Sequence, residues 1–309
     1  MSTLQFDQVA ALWKQSKRPY VKTSTYAIYI QLLNAHILPR FGKRDSIADA
    51  DVQDLVNTML ADGYSFKTVK CTLGVLRMIV RFGAQSGAWA PLVLRPHFPT
   101  AAGGNKGPMV LSRDHQQKLL SYIDRHFSFQ NLGILICLYS GLRIGEVCAL
   151  QWKDIDIPAG VIHIRKTVQR IYLTDGAEHE YFLSIDRPKT LSSIRDIPIS
   201  SELMPVLKPL AKIMCDDYFI VSNDETPYEP RYYRGYYSRL LKELGIPPLR
   251  FHALRHSFAT RCIESKCDYK AVSVILGHAS ISTTMDLYVH PGFDEKKKAI
   301  ERMAKSMRR

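Results

Sequence analysis

Long apolar runs are missing from this chain. The longest, around residues 132–139, is less than half of the roughly 20 residues that an apolar helix needs to span a bilayer, so no transmembrane helix is expected. The start, Met1-Ser2-Thr3-Leu4-Gln5-Phe6-Asp7, has no basic segment leading into an apolar one and is not read as a secretory signal. Cysteine is sparse and never occurs as C-x-x-C. Cys71, Cys137, Cys148, Cys215, Cys262 and Cys267 are scattered, and this argues for buried free thiols in a reducing compartment over zinc ligands or disulfides. No repeat of solenoid length is visible, and 46% hydrophobic with 23% charged residues excludes a disordered or fibrous chain. The expectation is a soluble, cytoplasmic protein of two ordinary domains.

Acidic residues are also in short supply. Against 42 Lys and Arg there are 29 Asp and Glu, a formal net charge of +13. Residues 1–92 hold 11 basic and 6 acidic side chains, so residues 93–309 hold 31 and 23, an excess of +5 and +8. A surplus in both parts suits a protein that holds a polyanion from two sides, because each phosphate contact releases counterions. Charge alone separates neither DNA from RNA nor either of them from an anionic membrane.

The first part reads as helices. Phe6, Val9, Ala10 and Trp13 recur at helical spacing. A second helix opens with Ser24 or Thr25 as N-cap and is expected to stop before Pro39, a third starts at Asp49 or Asp51, and a fourth is capped by Ser65. These make a small bundle over residues 1–92. Between Pro91 and Pro108 periodicity fails and Pro and Gly accumulate, which marks residues 93–110 as a linker. Residues 111–309 form the second domain. It begins with helices, switches to strand character over residues 155–199, where one small antiparallel sheet is expected, and returns to helices. The fold class is mainly α with a small antiparallel β-sheet.

Chemistry concentrates in four short stretches of the second domain. Gly-Leu-Arg-Ile-Gly-Glu at 141–146 places Arg143 after a tight bend, with Glu146 three residues later on the same helical face. His-Ala-Leu-Arg-His at 252–256 puts His252 and Arg255 on one face, with Phe251, Leu254, Phe258 and Cys262 as the apolar stripe behind them. His252 and His256 are also i and i+4, but a zinc protease helix needs H-E-x-x-H and position 253 is Ala, so zinc is rejected and His256 is read as structural. Asp268 caps a helix that Gly277 ends as a left-handed C′ residue, and His278 projects just beyond it. Ser280 or Ser282 then opens a short helix leading to Tyr288. Two arginines can clamp a phosphate, a histidine can move a proton, and a tyrosine can attack: together they suit the attack of a phenol on a phosphodiester. Of the 16 tyrosines, Tyr232, Tyr233, Tyr236 and Tyr237 form a cluster beside Arg231, Arg234 and Arg239 that reads first as helix packing and second as a DNA-facing surface.

In these motifs and their order the chain resembles the tyrosine recombinases, the phage integrase family, from about residue 3 to 293. The stretch from Thr23 to Gly42 is similar to the family's core-binding domain. The resemblance implies an N-terminal helical core-binding bundle and a catalytic domain that cuts and rejoins double-stranded DNA through a 3′-phosphotyrosyl intermediate, without cofactor or metal. It implies Arg143 and Arg255 on the scissile phosphate, His252 as the proton-transfer histidine that accepts the phenolic proton, His278 on the phosphate and Tyr288, ten residues later, as nucleophile. Glu146 orients the site. Lys189, in Arg-Pro-Lys-Thr at 187–190, matches the mobile lysine that protonates the departing 5′ oxygen, with Lys166 as its rival. A homotetramer on two DNA sites is implied, with accessory directionality or DNA-bending proteins as further partners, and the basic segment 294–303 as a tail that docks on a neighbouring protomer. Many integrases carry an additional N-terminal arm-binding domain, whereas this sequence opens with the first bundle helix. That leaves integration or excision of a phage or mobile element beside inversion and the resolution of replicon dimers. A type IB topoisomerase uses similar groups, and a DNA-binding regulator on the same fold would be expected to have lost some of them; none is missing here.

Overall fold

The computed structural model describes residues 4–90, 92–99, 109–175, 178–188 and 191–288, with isolated positions from 297 to 307. It divides into two compact units, Met1–Gly104 with Ile171–Phe182, and Asn105–Arg170 with Leu183–Arg309.

The first unit is built on helices α1 (Phe6–Lys17), α2 (Thr23–Leu32), α3 (Leu38–Phe41), α4 (Asp49–Ala61) and α5 (Phe66–Gln85). The apolar positions read from spacing are the ones buried: Phe6, Val9, Ala10 and Trp13 on α1, and Leu73, Leu76 and Ile79 on α5, all in one core. Each such aliphatic side chain contributes about 1.5–3 kcal/mol by leaving water. Ser65 caps α5 by accepting from the Thr68 N–H at 3.2 Å, as its position before the helix requires. Helix α2 stops at Leu32, before Pro39 as expected, yet the chain stays on a helical path beyond it. Residues 33–37 widen into a π-turn in which the Leu38 N–H reaches the Leu33 carbonyl, and Pro39 then falls in the first turn of α3. There the missing proline N–H costs no helical bond, and the wider turn relieves the clash of its ring with the preceding carbonyls. Beyond α5, Leu94 is buried in the same core, and Gln53 exchanges two hydrogen bonds with the His97 backbone at 2.7 and 3.1 Å.

The second unit holds α6 (Arg113–Arg125), α7 (Phe129–Ser140) and α8 (Ile144–Ala149), strands β1 (Ile155–Asp156), β2 (Val161–Ile164) and β5 (Arg195–Pro198), the start of β3 (Thr167–Asp175) and the end of β4 (Glu178–Asp186), whose remaining residues fall in the first unit, then α9 (Met204–Ala211), α10 (Pro230–Glu243), α11 (His252–Glu264), α12 (Tyr269–Leu276) and α13 (Ile281–Tyr288). Instead of the single sheet expected, two form: a three-stranded antiparallel sheet in the order β1-β2-β5, with Ile162 opposite Ile197, and a separate β3-β4 pair. The alternation in β2 and β5 buries Ile162, Ile164 and Ile197 against the helices and leaves little apolar surface for more strands to cover. Helix α7 is apolar on almost every face and is buried accordingly, from Leu132 through Leu138, which makes it the central element of this unit.

The thiols depart from expectation. Cys137 and Cys148 are buried and Cys262 is partly so, but Cys71, Cys215 and Cys267 are exposed; neighbouring apolar residues do not bury a cysteine that lies on the outer face of its element. In the tyrosine cluster, Tyr233 and Tyr237 are core residues and Tyr232 is exposed. The segment 294–303 falls largely outside the described residues.

Candidate functional site

Two left-handed glycines shape the site. Gly141 (φ 66°) ends α7 and Gly277 (φ 65°) ends α12. A Cβ on Gly141 would stand 2.6 Å from Phe258 Cδ1, so both the backbone and the space require glycine. The end of a helix exposes carbonyls without intrahelical donors and carries partial negative charge. Both arginines are tied to these ends. Arg255, only 2% exposed, donates through Nη1 to the Gly141 carbonyl at 2.9 Å and through Nη2 to the Leu276 carbonyl at 2.7 Å. Arg143, the N-cap of α8, donates through Nη2 to the Gly277 carbonyl at 3.2 Å and through Nη1 to Glu146 at 2.8 Å. Burial, followed by the charge of Arg143, pulls Arg255 down to about 9, which leaves it charged at neutral pH. Two guanidiniums held this close repel each other, and a bound anion would relieve that repulsion.

Behind Arg143 lies a buried ion pair that motif reading did not reveal. Arg195 on β5 donates to both oxygens of Glu146, at 3.0 and 2.9 Å, and its Nε donates to the Ile275 carbonyl at 2.5 Å. Burial alone would raise the Glu146 carboxyl; the hydrogen bonds and charge of Arg195, with that of Arg143, outweigh it and hold the pKa below the usual value. Glu146 therefore fixes Arg143 while being fixed itself by Arg195. The only sequence signal for this was an arginine two positions before Ile197, on the inward-facing side of a short strand.

The histidines are uncharged at neutral pH. His278, just past the α12 cap, pairs through Nδ1 with Thr284 Oγ1 at 2.8 Å, and burial, then Arg255, Arg143 and Arg195, pull it down to about 4. His252 keeps part of its ring toward solvent, yet desolvation of the rest, then His256 and the two arginines, likewise lower it to about 4. Tyr288 ends α13 with 9% of its surface exposed. Its hydroxyl lies 2.5 Å from Nδ1 of His256, the histidine read as structural. Burial raises the phenol above its ordinary pKa, although Arg255 and Arg143 pull in the other direction, so the free protein holds it protonated.

Arg143, Glu146, His252, Arg255, His278 and Tyr288 thus converge at the ends of α7, α8, α11, α12 and α13. Lys189 lies outside the described residues. Its rival Lys166, between β2 and β3, donates to Gln151 Oε1 at 2.6 Å.

A helical bundle in one chain with a unit that presents two tethered arginines and a tyrosine fits a class of DNA-cleaving and DNA-joining enzymes. Residues 110–295 match the phage integrase family, and residues 5–60 match its N-terminal SAM-like domain; the chain belongs to this family and is a tyrosine recombinase. It is 25% identical to a XerC-like tyrosine recombinase of Caldanaerobacter subterraneus subsp. tengcongensis, over 84% of this chain and 72% of that one. It is equally, 25%, identical to the transposase of transposon Tn916 from Enterococcus faecalis, over 94% of this chain and 76% of that protein. The structure of the Tn1549 transposon integrase in complex with transposon right end DNA superposes with a TM-score of 0.76 at 26% identity, covering 97% of this chain and all of that one.

Proposed function

We propose that this recombinase is the integrase of a mobile element, moving that element by cutting and rejoining double-stranded DNA at attachment sites. The observation that carries this is the likeness to the Tn1549 integrase over nearly the whole of both chains, together with the match to the Tn916 transposase. Residues 1–92 serve as the core-binding domain, 93–110 as linker, and 111–309 as the catalytic domain. The enzyme works in the cytoplasm; among the described residues no helix is long and apolar enough to cross a membrane.

Arg143 and Arg255 hold the non-bridging oxygens of the scissile phosphate and stabilise the charge that builds in the pentavalent transition state. His252 and His278, both neutral, complete the phosphate pocket. Tyr288 attacks phosphorus and Lys189 protonates the departing 5′ oxygen, leaving a 3′-phosphotyrosyl bond that conserves the energy of the phosphodiester. Exchange between two duplexes breaks four strands, and one chain supplies one Tyr288, so the working form is a tetramer on two sites, with directionality or DNA-bending proteins as accessory partners.

The test is a labelled fragment spanning the DNA beside the protein's own gene, incubated with wild type and Tyr288→Phe and stopped with detergent. A covalent protein–DNA adduct with wild type alone supports the reading and marks the crossover; Arg143→Ala and Arg255→Ala should form it at least about 10²–10³ times more slowly. Tight, salt-sensitive binding without an adduct would favour a non-catalytic regulator. An adduct confined to sites where replicon dimers are resolved would favour a resolvase.

A further inference from the structure

The residue bonded to the nucleophile is His256, which the motifs did not assign. Its Nδ1 stands 2.5 Å from Tyr288 Oη, across 32 positions of sequence and between two helices, α11 and α13. In the tautomer of the neutral imidazole that carries its proton on Nε2, Nδ1 is the acceptor and the phenol donates to it. His252, the histidine expected to take the phenolic proton, packs edge-on against His256 with ring centroids 4.5 Å apart. The three rings therefore run His252, His256, Tyr288, with His256 in the middle.

Resting on the recombinase reading above, we propose that His256 is the general base for Tyr288. In cleavage the Oη–P bond forms, the P–O5′ bond breaks, the phenolic proton passes to His256 Nδ1, and O5′ receives its proton from the general acid. In rejoining, the His256 imidazolium returns that proton to the departing phenolate, and the deoxyribose hydroxyl that attacks gives up its own to the same acid group.

The surroundings suit a base that acts only on DNA. In the free protein, burial and then the charge of Arg255 hold His256 below its ordinary pKa, and the phenol keeps its proton. A phosphate held by Arg143 and Arg255 offsets their charge, and the pentavalent state adds a further negative charge. Both effects favour an imidazolium beside the reacting phosphate, so proton transfer is coupled to occupancy of the clamp. His252 is left to touch the phosphate and to support the His256 ring.

The experiment compares wild type, His256→Ala and His256→Asn on the fragment that wild type cleaves. Asparagine presents an acceptor in nearly the same place but is not basic. Each protein is also given the same DNA with sulfur in place of the bridging 5′ oxygen, a leaving group that needs no proton. With DNA affinity unchanged, both variants should form the adduct about 10²-fold or more slowly, and on the sulfur-substituted DNA as well, because the missing group serves the nucleophile. Wild-type cleavage by His256→Asn would overturn the assignment, leaving His256 a positioning residue; that variant carries the test if His256→Ala fails to fold. Recovery of either variant on the sulfur-substituted DNA would overturn it too, by moving the defect to the leaving group. Absence of an adduct with wild type itself would instead remove the recombinase reading on which the proposal rests.

Discussion

Breaking the Glu146–Arg195 pair would leave a guanidinium in the interior without its counter-charge. Both side chains are 3% exposed and share two hydrogen bonds, so Glu146→Ala should cost about 3–5 kcal/mol, the usual penalty for orphaning one partner of a buried pair. Urea denaturation would measure it; a loss under 1 kcal/mol, about the scale of an exposed pair, would show that Arg195 finds another partner. The carboxylate was legible in the sequence, being three residues after Arg143 on a short helix. Its second partner was not, because 49 positions of chain separate Arg195 from Glu146 and only the tertiary fold brings them together. The same holds for His256, whose link to Tyr288 depends on where α13 comes to rest.

Helix ends were the most readable elements, since a cap is decided by a few adjacent residues. Asp268 accepts from the Ala271 N–H at 2.8 Å and Gly277 adopts the left-handed conformation, both as spacing implied. The proposed function depends on these ends, because the carbonyls they free are the ones that hold the arginines. Gly141→Ala is therefore expected to act twice. Alanine in the left-handed region costs about 1–2 kcal/mol, and its methyl would press on Phe258 Cδ1 at 2.6 Å, displacing the carbonyl that Arg255 grips. Thermal melting should show a loss beyond the backbone cost alone, with adduct formation reduced in parallel; a melting curve like wild type would refute this account. Pro39 shows the opposite case. The helix ended before the proline, as the rule requires, but the π-turn that carries the chain past it has no local sequence signature.

At the scale of the whole molecule, the uncharged histidines tie stability to pH. His252 and His278 have pKa values near 4 in the folded protein against 6.5 when unfolded. Between those values the unfolded chain binds more protons, so stability is complete above about 6.5 and is lost as the pH falls. The lowered carboxyl of Glu146 acts in the same direction at lower pH, since it too must take up a proton on unfolding in acid. The melting temperature should fall steadily between about pH 7 and about pH 5; a flat profile would mean that the imidazoles protonate freely in the native state.

The sequence by itself determined the class of fold, most helices and their caps, the basic surplus and the kinds of side chain the reaction needs, because each rests on near neighbours in the chain or on simple composition. Tertiary structure alone decided which groups hold which. Arg255 bridging two helix ends, Arg195 buttressing Glu146 and His256 receiving the Tyr288 hydroxyl all join residues far apart in sequence. Their pairing is set by the packing of apolar faces, and those faces carry no mark of which polar atoms they will bring within hydrogen-bond reach.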